Sequence, residues 1–213
     1  EHTGMGRERI VLGNGSNDLL DILARVFLAP GRSAVYAQYA FAVYPLATIS
    51  AGGEPIAVPA LNFGHDLDAM RAAIRPDTRL VWMANPNNPT GTFIPYPVLK
   101  AFLQSLPKEV VVVLDEAYNE YIPAAEHVDT TPWVNEFPNL VLTRTFSKIY
   151  GLAGLRVGYA LASAEVADLM NRIRQPFNCN NLALAAATAA LGDHEFLARS
   201  HDSNRAGMAQ IVD

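Results

Sequence analysis

The feature that most constrains the fold of this chain is the alternation of short apolar runs with stretches of helical period. Segment 17–28 places Leu19, Leu23 and Val26 on one face of a helix, and segments 41–50, 67–74, 98–106, 166–173 and 181–191 have similar spacing. The apolar runs are strand-length and rich in β-branched residues, and they cover 10–12, 34–36, 55–58, 80–83, 110–114, 140–142 and 157–161. This alternation predicts an α/β domain with a largely parallel sheet.

Composition narrows the class of protein. Half of the 213 residues are hydrophobic and 17% are charged, which favours a buried core and one large domain, or one domain plus part of a second. A net charge of -5 offers no electrostatic basis for binding nucleic acid or an anionic membrane. The single cysteine, Cys179, excludes an intrachain disulfide and is expected to be a small buried residue. We expect a soluble, cytoplasmic protein without a transmembrane segment.

Three polar segments follow three of the predicted strands. They are NPNNPTG at 85–91, DEAY at 115–118 and TRTFSK at 143–148. Ligands of parallel α/β sheets bind beyond the carboxyl ends of the strands. The 27 residues between Asn88 and Asp115, and the 33 between Asp115 and Lys148, each fit one strand-helix-strand repeat. Each segment alone is ordinary as a turn, a helix cap or a surface lysine. The three in this order predict one shared site.

These motifs, followed by GLAGLRVG at 151–158, resemble the fold-type I pyridoxal-phosphate (PLP) aminotransferases, and specifically their histidinol-phosphate aminotransferase branch. The resemblance runs from GNGSNDLLDIL at 13–23 through FAVYPLA at 41–47 to RQPFNCNNLALAAATAAL at 174–191. It implies a three-layer α-β-α sandwich with a mostly parallel, roughly seven-stranded sheet. Residues 1–213 would form the PLP-binding large domain, with a core at 1–190 and the start of a connection to a small domain at 191–213. The family's N-terminal segment and small domain, including its substrate-binding arginine, match nothing in this sequence.

The resemblance assigns roles around the cofactor ring. Lys148 would bind the cofactor aldehyde covalently and later move a proton at the substrate. Asp115 would keep the ring nitrogen protonated, so that the ring accepts electrons. Asn88 and Tyr118 match the family's donors to the ring oxygen. Phe41 would cover one ring face, with Tyr39 as the weaker alternative.

A second group of residues matches the family's phosphate site. Glycine allows close approach of the backbone at a helix N-terminus, where an anion is favoured. An arginine suits bidentate pairing with a phosphate. The residues assigned to this site are Gly15, Ser16, Asn17, Thr145, Ser147 and Arg156. The five histidines are scattered without ligand spacing, so no metal site is expected.

The expected reaction is PLP-dependent transamination of L-histidinol phosphate with 2-oxoglutarate, in histidine biosynthesis. The partners would then be a small-molecule amino donor, a 2-oxo acid acceptor and a second subunit of a homodimer. An alternative keeps the chemistry and changes the donor to an aromatic amino acid. A PLP-sensing domain of a transcription regulator is a second alternative, although the sequence has no helix-turn-helix or basic patch. A dinucleotide-binding protein is a third, although Asp18 replaces the third glycine of its G-x-G-x-x-G motif.

Overall fold

A seven-stranded sheet forms the centre of the molecule in the computed structural model, which describes residues 2–212. The strand order across the sheet is β1-β7-β6-β5-β4-β2-β3. The strands are β1 (Ile10–Gly13), β2 (Ser33–Ala37), β3 (Glu54–Val58), β4 (Thr78–Ala84), β5 (Val111–Asp115), β6 (Leu140–Thr145) and β7 (Gly158–Leu161). Each apolar run identified in the sequence contributes one of these strands.

Six of the seven strands run in the same direction. The strand pairs β2–β3, β2–β4, β4–β5 and β5–β6 are parallel, whereas β7 is antiparallel to both β6 and β1. Because β7 lies between β6 and β1, its reversal leaves β1 aligned with the parallel set. The carboxyl ends of β1, β4, β5 and β6 therefore meet at one edge, which confirms the expected mostly parallel sheet.

Helices cover both faces of the sheet. Neighbouring residues of one strand point to opposite faces, so Val112 packs in one apolar cluster and Val113 in the other. Both clusters are fully buried, which confirms the three-layer expectation and the two-sided burial of β5. The helices are α1 (Ser16–Phe27), α2 (Val43–Ser50), α3 (Leu67–Ala72), α4 (Tyr96–Ser105), α5 (Trp133–Glu136), α6 (Ala164–Ile173), α7 (Asn181–Ala190) and α8 (His194–Val212).

The last helix, α8, has no counterpart in the sequence prediction. It has no buried residue, so no apolar stripe marks its helical period. Within residues 2–212, none of the helices combines the length and the apolar character needed to cross a bilayer. The division into a core at 1–190 and a connecting segment at 191–213 stays a prediction.

Candidate active site

A cavity of about 190 Å³ opens at the carboxyl edge of the sheet, beside the N-terminus of α1. Ten of the eleven residues assigned from the sequence line it: Ser16, Asn17, Phe41, Asn88, Asp115, Tyr118, Thr145, Ser147, Lys148 and Arg156. The eleventh, Gly15, directly precedes α1 and contacts the Arg156 side chain. Ala84 and Ala117 also line the cavity and were not predicted. The fold thus brings together groups that lie up to 141 residues apart in sequence, from Gly15 to Arg156.

Asp115 ends β5 and is 4% exposed. One carboxylate oxygen, Oδ2, accepts a hydrogen bond from the Tyr44 hydroxyl at 3.1 Å, and the other, Oδ1, accepts one from the Ala117 amide at 3.2 Å. Burial raises the pKa of Asp115 to about 6, while these donors act in the opposite direction. The carboxyl group is therefore held by two donors and lines the cavity.

The amine of Lys148 lies over the ring of Tyr118, with Nζ 5.0 Å from the ring centroid. Lys148 follows β6 by three residues, and its carbonyl accepts a hydrogen bond from the Gly151 amide at 3.0 Å. Tyr118 follows β5 by three residues. The amine and the phenol therefore reach one cavity from the ends of adjacent strands.

The loop after β4 is held by side chains that the sequence prediction did not assign. The buried Asn85 side chain donates to the Ile94 carbonyl at 3.0 Å and accepts from the Ile94 amide at 2.8 Å. The side-chain Nδ2 of Asn87 donates to the Tyr39 carbonyl at 2.8 Å. These bonds close the turn on both sides of Asn88 and fix the position from which it lines the cavity.

Groups suited to bind an anion line the cavity where α1 begins. The first amides of α1 have no carbonyl partner within the helix, and they meet the cavity at Ser16 and Asn17. Arg156 adopts the left-handed conformation (φ 59°, ψ 67°) and its Nη1 donates to Ser147 Oγ at 3.2 Å. A guanidinium, helix amides and a serine hydroxyl thus converge as a phosphate would require.

Of the two aromatic residues considered for the ring face, Phe41 lines the cavity. Tyr39 stacks instead on Phe63 with centroids 5.7 Å apart, and it is 41% exposed. Phe41 contacts Tyr44 edge to face at 5.9 Å. The geometry favours Phe41 as the residue that covers a flat ligand.

A buried ion pair lies directly behind the site. Arg144 Nε donates to Glu116 Oε2 at 2.8 Å, and the Thr130 hydroxyl donates to the other carboxylate oxygen, Oε1. Glu116 is 1% exposed and Arg144 is 8% exposed. Burial opposes the charge on Arg144, but Glu116 raises the guanidinium pKa above its usual value. The sequence analysis missed this pair, because Arg144 lies in the polar segment after the apolar run at 140–142 and nothing near it in sequence points to Glu116.

The residues present fit the groups of PLP. The cavity offers an amine, a buried carboxylate, amide and phenol donors, an aromatic face and an anion site, which are the protein contacts that such a cofactor needs. Across residues 2–212, the structure holds no cluster of three or more side chains suited to bind a metal ion.

Curated proteins with similar sequences include histidinol-phosphate aminotransferases. The chain is 74% identical over 212 residues to histidinol-phosphate aminotransferase 1 of Dechloromonas aromatica, covering 100% of this chain and 59% of that protein. It is 64% identical to histidinol-phosphate aminotransferase 1 of Thiobacillus denitrificans, covering 98% of this chain and 54% of that protein. The chain therefore spans little more than half the length of these relatives.

Solved structures share the fold. The histidinol-phosphate aminotransferase of Sinorhizobium meliloti, in complex with pyridoxal 5'-phosphate, superimposes with a TM-score of 0.87 at 33% identity, over 94% of this chain and 54% of that one. The aspartate aminotransferase of Thermus thermophilus, with maleate, gives a TM-score of 0.84 at 26% identity, with the same coverage. The family model for class I and II aminotransferases matches residues 1–212. The chain therefore belongs to the class I and II aminotransferase family.

Proposed function

We propose that the full-length protein is a PLP-dependent aminotransferase that converts L-histidinol phosphate, with 2-oxoglutarate as the amino acceptor. The observation that carries the proposal is the single cavity lined by Lys148, Asp115, Asn88 and Tyr118. The curated relatives that bear this activity in their names, at 74% and 64% identity, support the choice of substrate.

Bound PLP supplies an electron sink that stabilises negative charge at the substrate α-carbon. Lys148 would attach the cofactor through its side-chain amine, and that amine would accept and return the α-proton. Asp115 would hold a proton at the ring nitrogen, and its burial would strengthen that charge pair. Asn88 and Tyr118 would donate hydrogen bonds to the ring oxygen.

The phosphate is assigned to the other end of the cavity. The N-terminal amides of α1 at Ser16 and Asn17, the hydroxyls of Thr145 and Ser147, and the Arg156 guanidinium would bind it. Gly15 permits the close approach of Arg156. Phe41 would cover one face of the ring.

Assembly and location belong to the same proposal. We expect a cytoplasmic homodimer, because family resemblance implies active sites at a subunit interface. Large apolar side chains lie exposed on this chain, including Leu46 at 64%, Phe63 at 67% and Phe177 at 97%. Light scattering of the purified full-length protein should give twice the subunit mass. A monomer that turns over normally would contradict the proposed homodimer.

The test of the substrate compares kcat/KM for L-histidinol phosphate and for phenylalanine, each with 2-oxoglutarate, in the full-length protein. We expect histidinol phosphate to be preferred at least about ten-fold, since substrate selection is a ratio of these constants. Lys148→Ala is the control that removes turnover of both. Faster turnover of phenylalanine would overturn the substrate assignment and leave the enzyme class standing.

A further inference from the structure

Tyr44 contacts the Asp115 carboxylate from the side of the sheet that α2 covers. Its side chain is 0% exposed, and its hydroxyl donates to Asp115 Oδ2 at 3.1 Å. Asp115 also lines the cavity, whereas Tyr44 does not contribute to the cavity wall. Tyr44 is therefore placed to act on a ligand only through Asp115.

The Tyr44 ring is fixed by contacts on several sides. It stacks on Trp82 with ring centroids 5.6 Å apart and an interplanar angle of 4°. The Trp82 indole Nε1 donates to Thr48 Oγ1 at 3.0 Å, and that hydroxyl donates to the Tyr44 carbonyl at 2.8 Å. Trp82 and Thr48 are also 0% exposed. These contacts hold the Tyr44 ring in the position from which its hydroxyl donates to the Asp115 carboxylate.

In this pair Tyr44 is the neutral donor and Asp115 is the acceptor. Burial first, and then Asp115, raise the pKa of Tyr44 well above its usual value, so Tyr44 stays a neutral donor. Burial raises the pKa of Asp115, and the hydrogen bond from Tyr44 opposes that rise because it stabilises the ionised carboxylate. The other titratable groups around Asp115 are Glu116 and Tyr118 on its own turn, and Lys148 across the cavity.

We propose that Tyr44 is a positioning residue that orients the Asp115 carboxylate and keeps it ionised for its charge pair with the ring nitrogen of PLP. This inference rests on the proposed function, since it requires that the cavity bind PLP. A carboxylate that loses its donor holds a proton more readily, and that proton then competes with the proton on the ring nitrogen. Removing the Tyr44 hydroxyl should therefore matter only for ligands that have a ring nitrogen.

The test uses the full-length apoprotein and two ligands: PLP, and the PLP analogue in which carbon replaces the ring nitrogen. Dissociation constants are measured across pH by equilibrium dialysis. For Tyr44→Phe we expect PLP to bind about ten-fold more weakly, as for loss of a hydrogen bond to a charged group, and affinity for the carbon analogue to stay unchanged. The loss of PLP affinity on acidification should begin at a higher pH, because the Asp115 pKa has risen.

Tyr96→Phe is the matched control. Tyr96 is a buried tyrosine, 7% exposed, and it packs in the apolar cluster on the opposite face of the sheet from Tyr44. Tyr96→Phe also removes a phenolic hydroxyl from the core, so an effect of general core damage should appear in this variant too. We expect no change in the affinity of either ligand.

A double-mutant cycle provides the second readout. In an Asp115→Asn background, adding Tyr44→Phe should change PLP affinity no further, because the acceptor charge is already gone. Equal weakening of PLP and the carbon analogue in Tyr44→Phe, or additive losses in the double mutant, would overturn the positioning role. Failure of the wild type to bind PLP would instead overturn the proposed function, and this inference with it.

Discussion

Gly15 and Arg156 are packed so closely that only a hydrogen at position 15 leaves room for the guanidinium. A Cβ built on Gly15 would overlap Arg156 Nη2 and lie 2.9 Å from Cζ. Gly15 also has φ +79°, a region that other residues rarely adopt. This glycine therefore allows both the entry into α1 and the approach of the positive charge to the helix N-terminus.

We predict that Gly15→Ala displaces Arg156 and weakens PLP binding about ten-fold or more, since it disturbs a charge-assisted contact to the phosphate. Pyridoxal, which lacks the phosphate, should lose little affinity. The matched control is Gly31→Ala, which has φ +84° but open space around its Cβ. Titration of both ligands into each variant checks this. An equal loss for pyridoxal and PLP would mean that Gly15 does not serve the phosphate site.

A second prediction concerns the stability of the ligand-free protein. Burial of the carboxylate raises the pKa of Asp115 in the folded state to about 6 from its ordinary value of 3.8. The folded state thus binds this proton more tightly than the unfolded state does. The stabilising contribution is complete below pH 4 and is lost as pH rises through 6.

We therefore expect Asp115→Asn to stabilise the apoprotein above pH 6 by up to about 3 kcal/mol, from two pKa units at 1.36 kcal/mol each. The advantage should shrink toward pH 4, and PLP binding should weaken at every pH. Urea unfolding at a series of pH values measures the difference in free energy of unfolding from the wild type. Asp68→Asn, at an exposed carboxylate, is the control. A stability difference that does not change with pH would contradict the assignment.

A third prediction concerns the buried pair behind the site. Glu116→Gln removes the buried partner of Arg144 and leaves its charge with the exposed Asp129 carboxylate at 3.8 Å. Loss of one partner of a buried ion pair typically costs about 3–5 kcal/mol. Replacing both residues, as Glu116→Gln with Arg144→Met, should recover part of that loss, because no unpaired charge remains. Glu109→Gln, on an exposed glutamate, is the control and should have little effect. If the double variant is as unstable as the sum of the single variants, the pair is not coupled.

The element types could be predicted from the sequence because burial leaves a periodic pattern. All seven apolar runs became strands, and the non-alternating run at 110–114 indicated a strand buried on both faces. Strand direction leaves no such pattern, so the reversal of β7 was not visible in its four buried residues. The helix α8 was missed for the related reason that none of its residues is fully buried.

Some residues of the candidate site could be predicted from the sequence, and others could not. Residues on the turns after β4, β5 and β6 were found because strand ends mark an edge of the sheet and the motifs there are distinctive. Tyr44 was missed because its partner lies 71 residues away and the α2 stretch looks like ordinary apolar core. The Glu116–Arg144 pair is separated by 28 residues and likewise has no local signature.

Lys148 is the residue that we propose as the amine that holds the cofactor. This sequence has two other lysines: Lys100, which pairs with Glu136 at 2.7 Å, and the exposed Lys108, and neither lines the cavity. Lys148 is itself exposed, so Lys148→Ala should remove visible absorbance of bound PLP with little loss of stability.

The most direct measurement is borohydride reduction of the protein with PLP, followed by proteolysis and mass spectrometry of the peptides. Reduction converts the covalent link into a stable one and marks the lysine that formed it. Our account predicts a pyridoxyl group on Lys148, and none on Lys100 or Lys108. A label on Lys100 or Lys108 with an unmodified Lys148 would contradict it.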